Sequence, residues 1–131
     1  MYNFDYLRPA SLAEAVEAMK GEDAQAISGG QTLIPTLKAR LASPSVLVDL
    51  SGLAELKGVS REGDKLAIGA ATRHADVAGS EAVRSAIPAL AALAGNIGDP
   101  AVRNRGTVGG SLPPRTSVGS VCVDFAWACS M

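Results

Sequence analysis

Two short stretches pair adjacent glycines with hydroxyl side chains: Ser28-Gly29-Gly30-Gln31-Thr32-Leu33 and Thr107-Val108-Gly109-Gly110-Ser111-Leu112. Adjacent glycines allow positive φ and let the backbone approach a ligand closely. Successive backbone N–H groups in such a turn form a concavity for anionic oxygens, phosphate oxygens above all. Thr32 adds a hydroxyl donor to the first stretch. One glycine pair alone reads better as a plain strand–turn–helix junction. The return of the pattern later in the chain favours a shared phosphate-bearing ligand.

The remaining candidates are sparser. Arg103 and Arg105 stand just ahead of the second loop. They suit phosphate contacts, a subunit interface or plain solvation, and Arg103 can also pair with Asp99. His74 is the only histidine. With no cysteine beside it, it makes no metal site and reads as a surface or capping residue. Cys122 and Cys129 have the spacing of neither a disulfide framework nor a metal signature. No catalytic side chain and no metal ligand is assigned.

The elements that position these loops follow from periodicity and caps. Residues 4–8 alternate imperfectly and predict a short edge strand ended by Pro9. Ser11 and Glu14 have capping-box spacing. Leu12, Ala15, Val16 and Met19 then share a helical face. Residues 24–28 predict a strand running into the first glycine loop. Residues 32–41 predict a short helix with Leu33, Leu37 and Leu41 near one face, and with Lys38 and Arg40 solvated. Residues 46–50 predict another strand, so the opening is βαβαβ-like. Two strands, 56–60 and 65–69, then flank a turn at 61–64. Thr72 reads as a helix N-cap, Asp76 as solvent-facing, and Ser80 as the cap of a helix through Val83 and Ile87. Pro88 starts a further helix packed by Leu90, Ala91, Leu93 and Ala94. Residues 95–100 are turn-rich. After Leu112 the segment Pro113-Pro114-Arg115-Thr116-Ser117-Val118-Gly119-Ser120 shows no period. Val121, Phe125 and Trp127 suit a last strand.

Composition narrows the function classes. The 131 residues suit one modest domain. A net charge of −1 gives no electrostatic case for nucleic acid or an acidic membrane, and 4% aromatic content argues against base-stacking surfaces. No apolar run approaches the length of a membrane span. The first residues lack a basic start and an apolar signal core, so a cytoplasmic location is expected.

The chain resembles the FAD-binding medium subunit of the molybdenum hydroxylases, of the carbon monoxide dehydrogenase and xanthine dehydrogenase type. The resemblance begins at Tyr6-Leu7-Arg8-Pro9 and is strong at Gly29-Gly30-Gln31-Thr32-Leu33-Ile34-Pro35. It continues through Val48-Asp49-Leu50, Ile68-Gly69-Ala70-Ala71-Thr72 and Gly95-Asn96-Ile97-Gly98-Asp99-Pro100. It is strongest at Val102-Arg103-Asn104-Arg105-Gly106-Thr107-Val108-Gly109-Gly110-Ser111-Leu112. It implies an α+β, FAD-binding fold of the vanillyl-alcohol-oxidase (PCMH) type. Residues 1–52 would form a first FAD-binding subdomain and 53–112 the start of a second, with 113–131 a divergent tail. It also implies roles for residues. Gly29, Gly30, Gln31, Thr32 and Leu33 would wrap the FAD pyrophosphate. Thr72 would approach the flavin side. Thr107, Gly109, Gly110 and Ser111 would line the other wall.

The abrupt change after Leu112 is read as a frame shift with a premature stop, or as a diverged short form. The function implied is an electron-transfer subunit that takes electrons from iron–sulfur clusters and passes them to an outside acceptor. The implied partners are a large molybdenum cofactor-binding subunit and a small subunit with two [2Fe-2S] clusters. The alternatives are a fragment that holds no FAD stably, a binding module for another phosphate ligand, and a self-standing flavin oxidase. The last is disfavoured because no substrate-site residues are recognisable.

Overall fold

The computed structural model describes residues 1–112. The expectations for the segment from Pro113, including Cys122, Cys129 and Trp127, lie outside the described residues. The chain opens with β1 (Asp5–Leu7), α1 (Leu12–Ala18), β2 (Ala24–Ile27), α2 (Leu33–Lys38) and β3 (Val46–Asp49). The three strands form a parallel sheet in the order β1-β3-β2, with Tyr6 opposite Leu47 and Ile27 opposite Asp49. The βαβαβ reading therefore holds. β3 is central, and its Leu47, Val48 and Asp49 are all buried.

Helix α1 starts where Ser11 accepts the Glu14 N–H (3.3 Å). The Glu14 carboxylate accepts from Ala10 N–H (2.7 Å), one residue before the position a capping box uses. Ala15 is buried against Val48, with Leu12, Ala18 and Met19 packed around them. Val16, expected on this face, is exposed. The buried stripe runs through Ala18 and leaves Val16 on its flank. Leu41 is exposed too, because α2 ends at Lys38 and Arg40 turns the chain at φ +58°.

A 3₁₀ turn at Ala54–Leu56 follows, where a strand from residue 56 was expected. Leu53, Leu56 and Ala71 join the core of the first sheet. The hairpin is β4 (Val59–Glu62) and β5 (Lys65–Ile68), antiparallel, with Arg61 opposite Leu66. Its turn is therefore Gly63-Asp64, shorter than predicted. Gly63 supplies the φ of +60° that the tight turn needs.

Helices α3 (His74–Gly79), α4 (Glu81–Ala86) and α5 (Pro88–Gly95) cover the hairpin. Leu66, Ile68, Val77, Val83, Ala91 and Ala94 make this second core. Alanines on α5 bring it close to α3. Leu93 lies on the flank and is exposed rather than packed. Arg73, not Thr72, is the N-cap of α3. The Thr72 hydroxyl turns away to Gly58, accepting its N–H (2.9 Å) and donating to its carbonyl (3.1 Å).

The turn-rich stretch contains a fourth helix of this half, α6 (Pro100–Arg103). Asp99 caps it by accepting the Val102 N–H (2.9 Å), and Pro100 stands at its first turn. Asp99 is thus committed, and the expected Arg103–Asp99 pair does not form. Arg103 instead donates to the carbonyls of Gly98 (2.8 Å) and Ile97 (3.4 Å). Charged donors on carbonyls are worth more than neutral ones, so Arg103→Ala should cost about 1 kcal/mol. Arg105 is exposed, and its alanine variant should stay within about 0.5 kcal/mol of the parent. Urea denaturation of both variants checks the inequality. Equal losses would contradict the bracing role of Arg103.

Candidate functional site: two facing glycine loops

The first glycine loop lies between β2 and α2, at the C-terminal end of the parallel strands. Gly30 turns the chain at φ +70°. Ile34 N–H then closes back on the Gly30 carbonyl (3.0 Å). The N–H groups of Gly30, Gln31, Thr32 and Leu33 meet no main-chain carbonyl among the described residues. Gln31 folds its amide onto the Gly29 carbonyl (3.3 Å), and Gln31 and Thr32 are exposed. Leu33 is half-buried. Here a run of free donors surrounds a residue in the left-handed region, which is the arrangement of an anion nest.

Gly29 has a different task. A Cβ there would lie 2.1 Å from the Arg105 carbonyl oxygen and 3.0 Å from Gly106 Cα. The first loop therefore sits directly against the entrance of the second, backbone on backbone. The two motifs, far apart in sequence, are adjacent in space.

The second loop is tied down on its inner side. Val108 N–H donates to the Thr72 carbonyl (3.0 Å) and Gly109 N–H to the Ala70 carbonyl (2.8 Å). A Cβ on Gly109 would meet that Ala70 oxygen at 2.9 Å. Gly109–Ser111 forms a 3₁₀ turn, and Gly110 and Ser111 are exposed. Thr107 forms an isolated antiparallel bridge with Arg73. Its hydroxyl is buried and has no hydrogen-bond partner among the described residues. It lies 3.3 Å from where a Cβ on Gly110 would sit. An orphan donor beside a glycine is a cradle that a side chain would fill.

Thr72 contributes its carbonyl to this loop rather than its hydroxyl. The structure thus sets the first loop, through Gly29, against Arg105 and Gly106, which lead directly into Thr107, Gly109, Gly110 and Ser111. It holds the Thr72 side chain back on Gly58.

The structure corrects the sequence reading of His74 as well. His74 is buried, not a surface or capping residue. Its N–H donates to the Gly106 carbonyl (3.0 Å), and its Nε2 lies 2.9 Å from Ser111 Oγ. The signal was its spacing from Val77, which puts both on the inner face of α3. Burial holds the His74 pKa below its ordinary value of 6.5. The unfolded chain takes up a proton near pH 6.5 and the folded one resists it. Stability from the neutral ring is therefore present above about pH 6.5 and lost as pH falls through the folded pKa. Melts of the parent between pH 8 and pH 5 should show this loss, and those of His74→Gln should lack it.

Neither loop carries a carboxylate, so an anion there meets no like charge within them. The nearest buried acid, Asp49, ends β3. Burial pushes its pKa up, but the Tyr6 hydroxyl, Ser51 N–H (2.8 Å) and Arg8 (3.9 Å) outweigh that and hold it below 3.8. The same bond raises the Tyr6 pKa. Asp49 thereby pins edge strand β1 to the central strand β3. No group of three or more potential metal ligands occurs among the described residues, and no described helix is long and apolar enough to cross a membrane.

The fold and the paired loops define an FAD-binding domain of the PCMH type. The chain belongs to the family described as the FAD binding domain in molybdopterin dehydrogenase, whose model matches residues 2–128. That match runs past Leu112, where the motifs drawn from the sequence end, and one relative aligns over 91% of the chain. The chain is 42% identical over 111 residues to the carbon monoxide dehydrogenase medium chain of Hydrogenophaga pseudoflava, covering 83% of this chain and 39% of the relative. The solved carbon monoxide dehydrogenase of that organism, lacking the Mo-pyranopterin moiety of its molybdenum cofactor, superposes with a TM-score of 0.79 at 43% identity. That superposition covers 82% of this chain and 38% of that one. Quinoline 2-oxidoreductase from Pseudomonas putida 86 gives a TM-score of 0.80 at 40% identity, over 83% of this chain and 39% of the other. The chain thus spans about two fifths of the length of these relatives. FAD is the cofactor of the family's domain. The residues present fit its diphosphate, because both loops keep unspent donors and a diphosphate would only accept.

Proposed function

We propose that this chain forms the diphosphate-holding part of the flavin site in an electron-transfer subunit of a molybdenum hydroxylase complex. The observation that carries the reading is the orphan Thr107 hydroxyl, set beside Gly110 in a loop that Gly29 joins to the first. Bound there, FAD would supply the redox chemistry, accepting electrons and passing them on. The chain's own residues supply position. Backbone N–H groups of residues 30–33 would hold one phosphate, and Thr107, Gly110 and Ser111 the other. Gly29 keeps the two walls at a fixed separation. The partners would be a large molybdenum cofactor-binding subunit and a small two-[2Fe-2S] subunit, in the cytoplasm. The "medium chain" of the relative's name supports an assembly of unequal subunits.

Equilibrium dialysis of the 131-residue chain against FAD, ATP and inorganic phosphate tests the reading. Affinity is expected to be weak, since these residues line one side of a large cofactor, and the ranking decides. FAD should be retained and should resist displacement by ATP. Equal competition by ATP or by phosphate would favour a general phosphate-binding module instead.

A further inference from the structure

His74 is buried at the start of α3, yet its ring tip reaches an exposed loop. It holds that loop at two points. The main-chain N–H takes the Gly106 carbonyl (3.0 Å), and ring Nε2 lies 2.9 Å from Ser111 Oγ. A Cβ on Gly106 would stand 3.1 Å from the ring Cδ2, so glycine is what lets the ring pass under the loop. His74 therefore brackets the whole turn from Gly106 to Ser111, within which Thr107 carries the unspent hydroxyl.

The Ser111 hydroxyl has one proton and two lone pairs. If it donates to His74, only lone pairs face outward, and those repel phosphate oxygens. If the ring donates, the serine proton is free. The loop's other unspent groups, the buried Thr107 hydroxyl and the Gly110 N–H, can both donate. The ring is also kept neutral by its surroundings, so one nitrogen bears the proton and the other does not.

We propose that His74 is a positioning residue of the diphosphate site: its Nε2–H donates to Ser111 Oγ, turning the serine proton outward toward a phosphate oxygen. This rests on the flavin reading above, but its first test does not. His74 is the only histidine, so a ¹⁵N-histidine-labelled chain gives one imidazole signal pair. Without ligand, at pH 8, the neutral ring should be protonated at Nε2. A ring protonated at Nδ1 would overturn the proposal, because the serine proton would then point inward.

The second arm measures FAD affinity, with inorganic pyrophosphate as a parallel probe. Ser111→Ala, at an exposed position, should weaken FAD binding about tenfold, the loss of one charge-assisted hydrogen bond. His74→Phe keeps the ring volume but not the donor and should lose a similar factor. His74→Gln offers an N–H near the Nε2 position and should recover most of it. The double variant His74→Phe/Ser111→Ala should lose no more than Ser111→Ala alone, since both changes remove one interaction. Additive losses would mean a purely structural histidine and sink the idea. Pyrophosphate responding to the same variants while FAD binds none of them would keep the serine orientation and overturn the flavin reading.

Discussion

Replacing Gly29 by alanine is expected to destabilise the protein by about 3 kcal/mol or more. The new Cβ would lie 2.1 Å from the Arg105 carbonyl oxygen, 2.8 Å from its carbon and 3.0 Å from Gly106 Cα. All three are main-chain atoms, so no rotamer change relieves the clash. Neither wall can retreat alone. Leu50 N–H holds the Ile27 carbonyl at 2.8 Å, just before the first loop. Gly106 is held from both sides, by its own N–H on the Val102 carbonyl (2.7 Å) and by His74 N–H on its carbonyl (3.0 Å). Relief requires parting the two loops, which also undoes the ligand site.

Gly30 makes the contrast. A Cβ there meets Ile34 Cδ1 at 2.7 Å, the far end of a side chain that can swing away. Its φ of +70° is the main penalty, about 1–2 kcal/mol for a residue with a Cβ. Gly110 is freer still, touching only the Thr107 hydroxyl at 3.3 Å. Gly110→Ala should leave stability nearly unchanged and reduce FAD binding. Urea denaturation of the three alanine variants tests the order. Gly29→Ala within 1 kcal/mol of the parent would show that the loops are not locked together as described.

The ranking shows what sequence made legible and what it did not. Both glycine loops stand out as strings, and their order and hydroxyl neighbours point to a phosphate-bearing ligand. The parallel βαβαβ opening is legible too, because local periodicity and the Ser11 cap encode it. The division of labour among the glycines is not. Gly29 and Gly30 are equivalent in sequence, and only the arrival of the Arg105–Gly106 peptide separates a packing glycine from a turning one. His74 failed for the same reason. Its spacing from Val77 marks the inner face of α3, but its partner Ser111 lies 37 positions away. Thr72 was misassigned because a threonine before a helix resembles an N-cap. In the fold, Gly58 competes for its hydroxyl with both a donor and an acceptor. Long-range partners decided each case, whereas propensity carries only short-range information.

Thr107→Val is expected to raise stability and lower flavin affinity together. Valine keeps the shape and the β-branching and puts a methyl group where the hydroxyl stood. That hydroxyl is buried, with no partner among the described residues, so the ligand-free protein bears its desolvation cost. An unsatisfied buried polar group costs about 1–3 kcal/mol, and removing it should return about 1 kcal/mol. With the diphosphate in place, the same hydroxyl would donate to a charged oxygen. Such a bond is worth about 1.5–3 kcal/mol, so FAD affinity should fall roughly tenfold or more. Opposite signs are informative here. A residue that only packs would lose both stability and binding, and an idle one would change neither. Thr107→Ser keeps the donor and should keep most of the affinity. The measurements are a urea midpoint without ligand and an FAD titration by fluorescence quenching, on parent and both variants. If Thr107→Val is less stable than the parent, its hydroxyl has a structural partner. If its FAD affinity is unchanged, the hydroxyl does not face the cofactor. Either result would remove the observation on which the flavin site is placed.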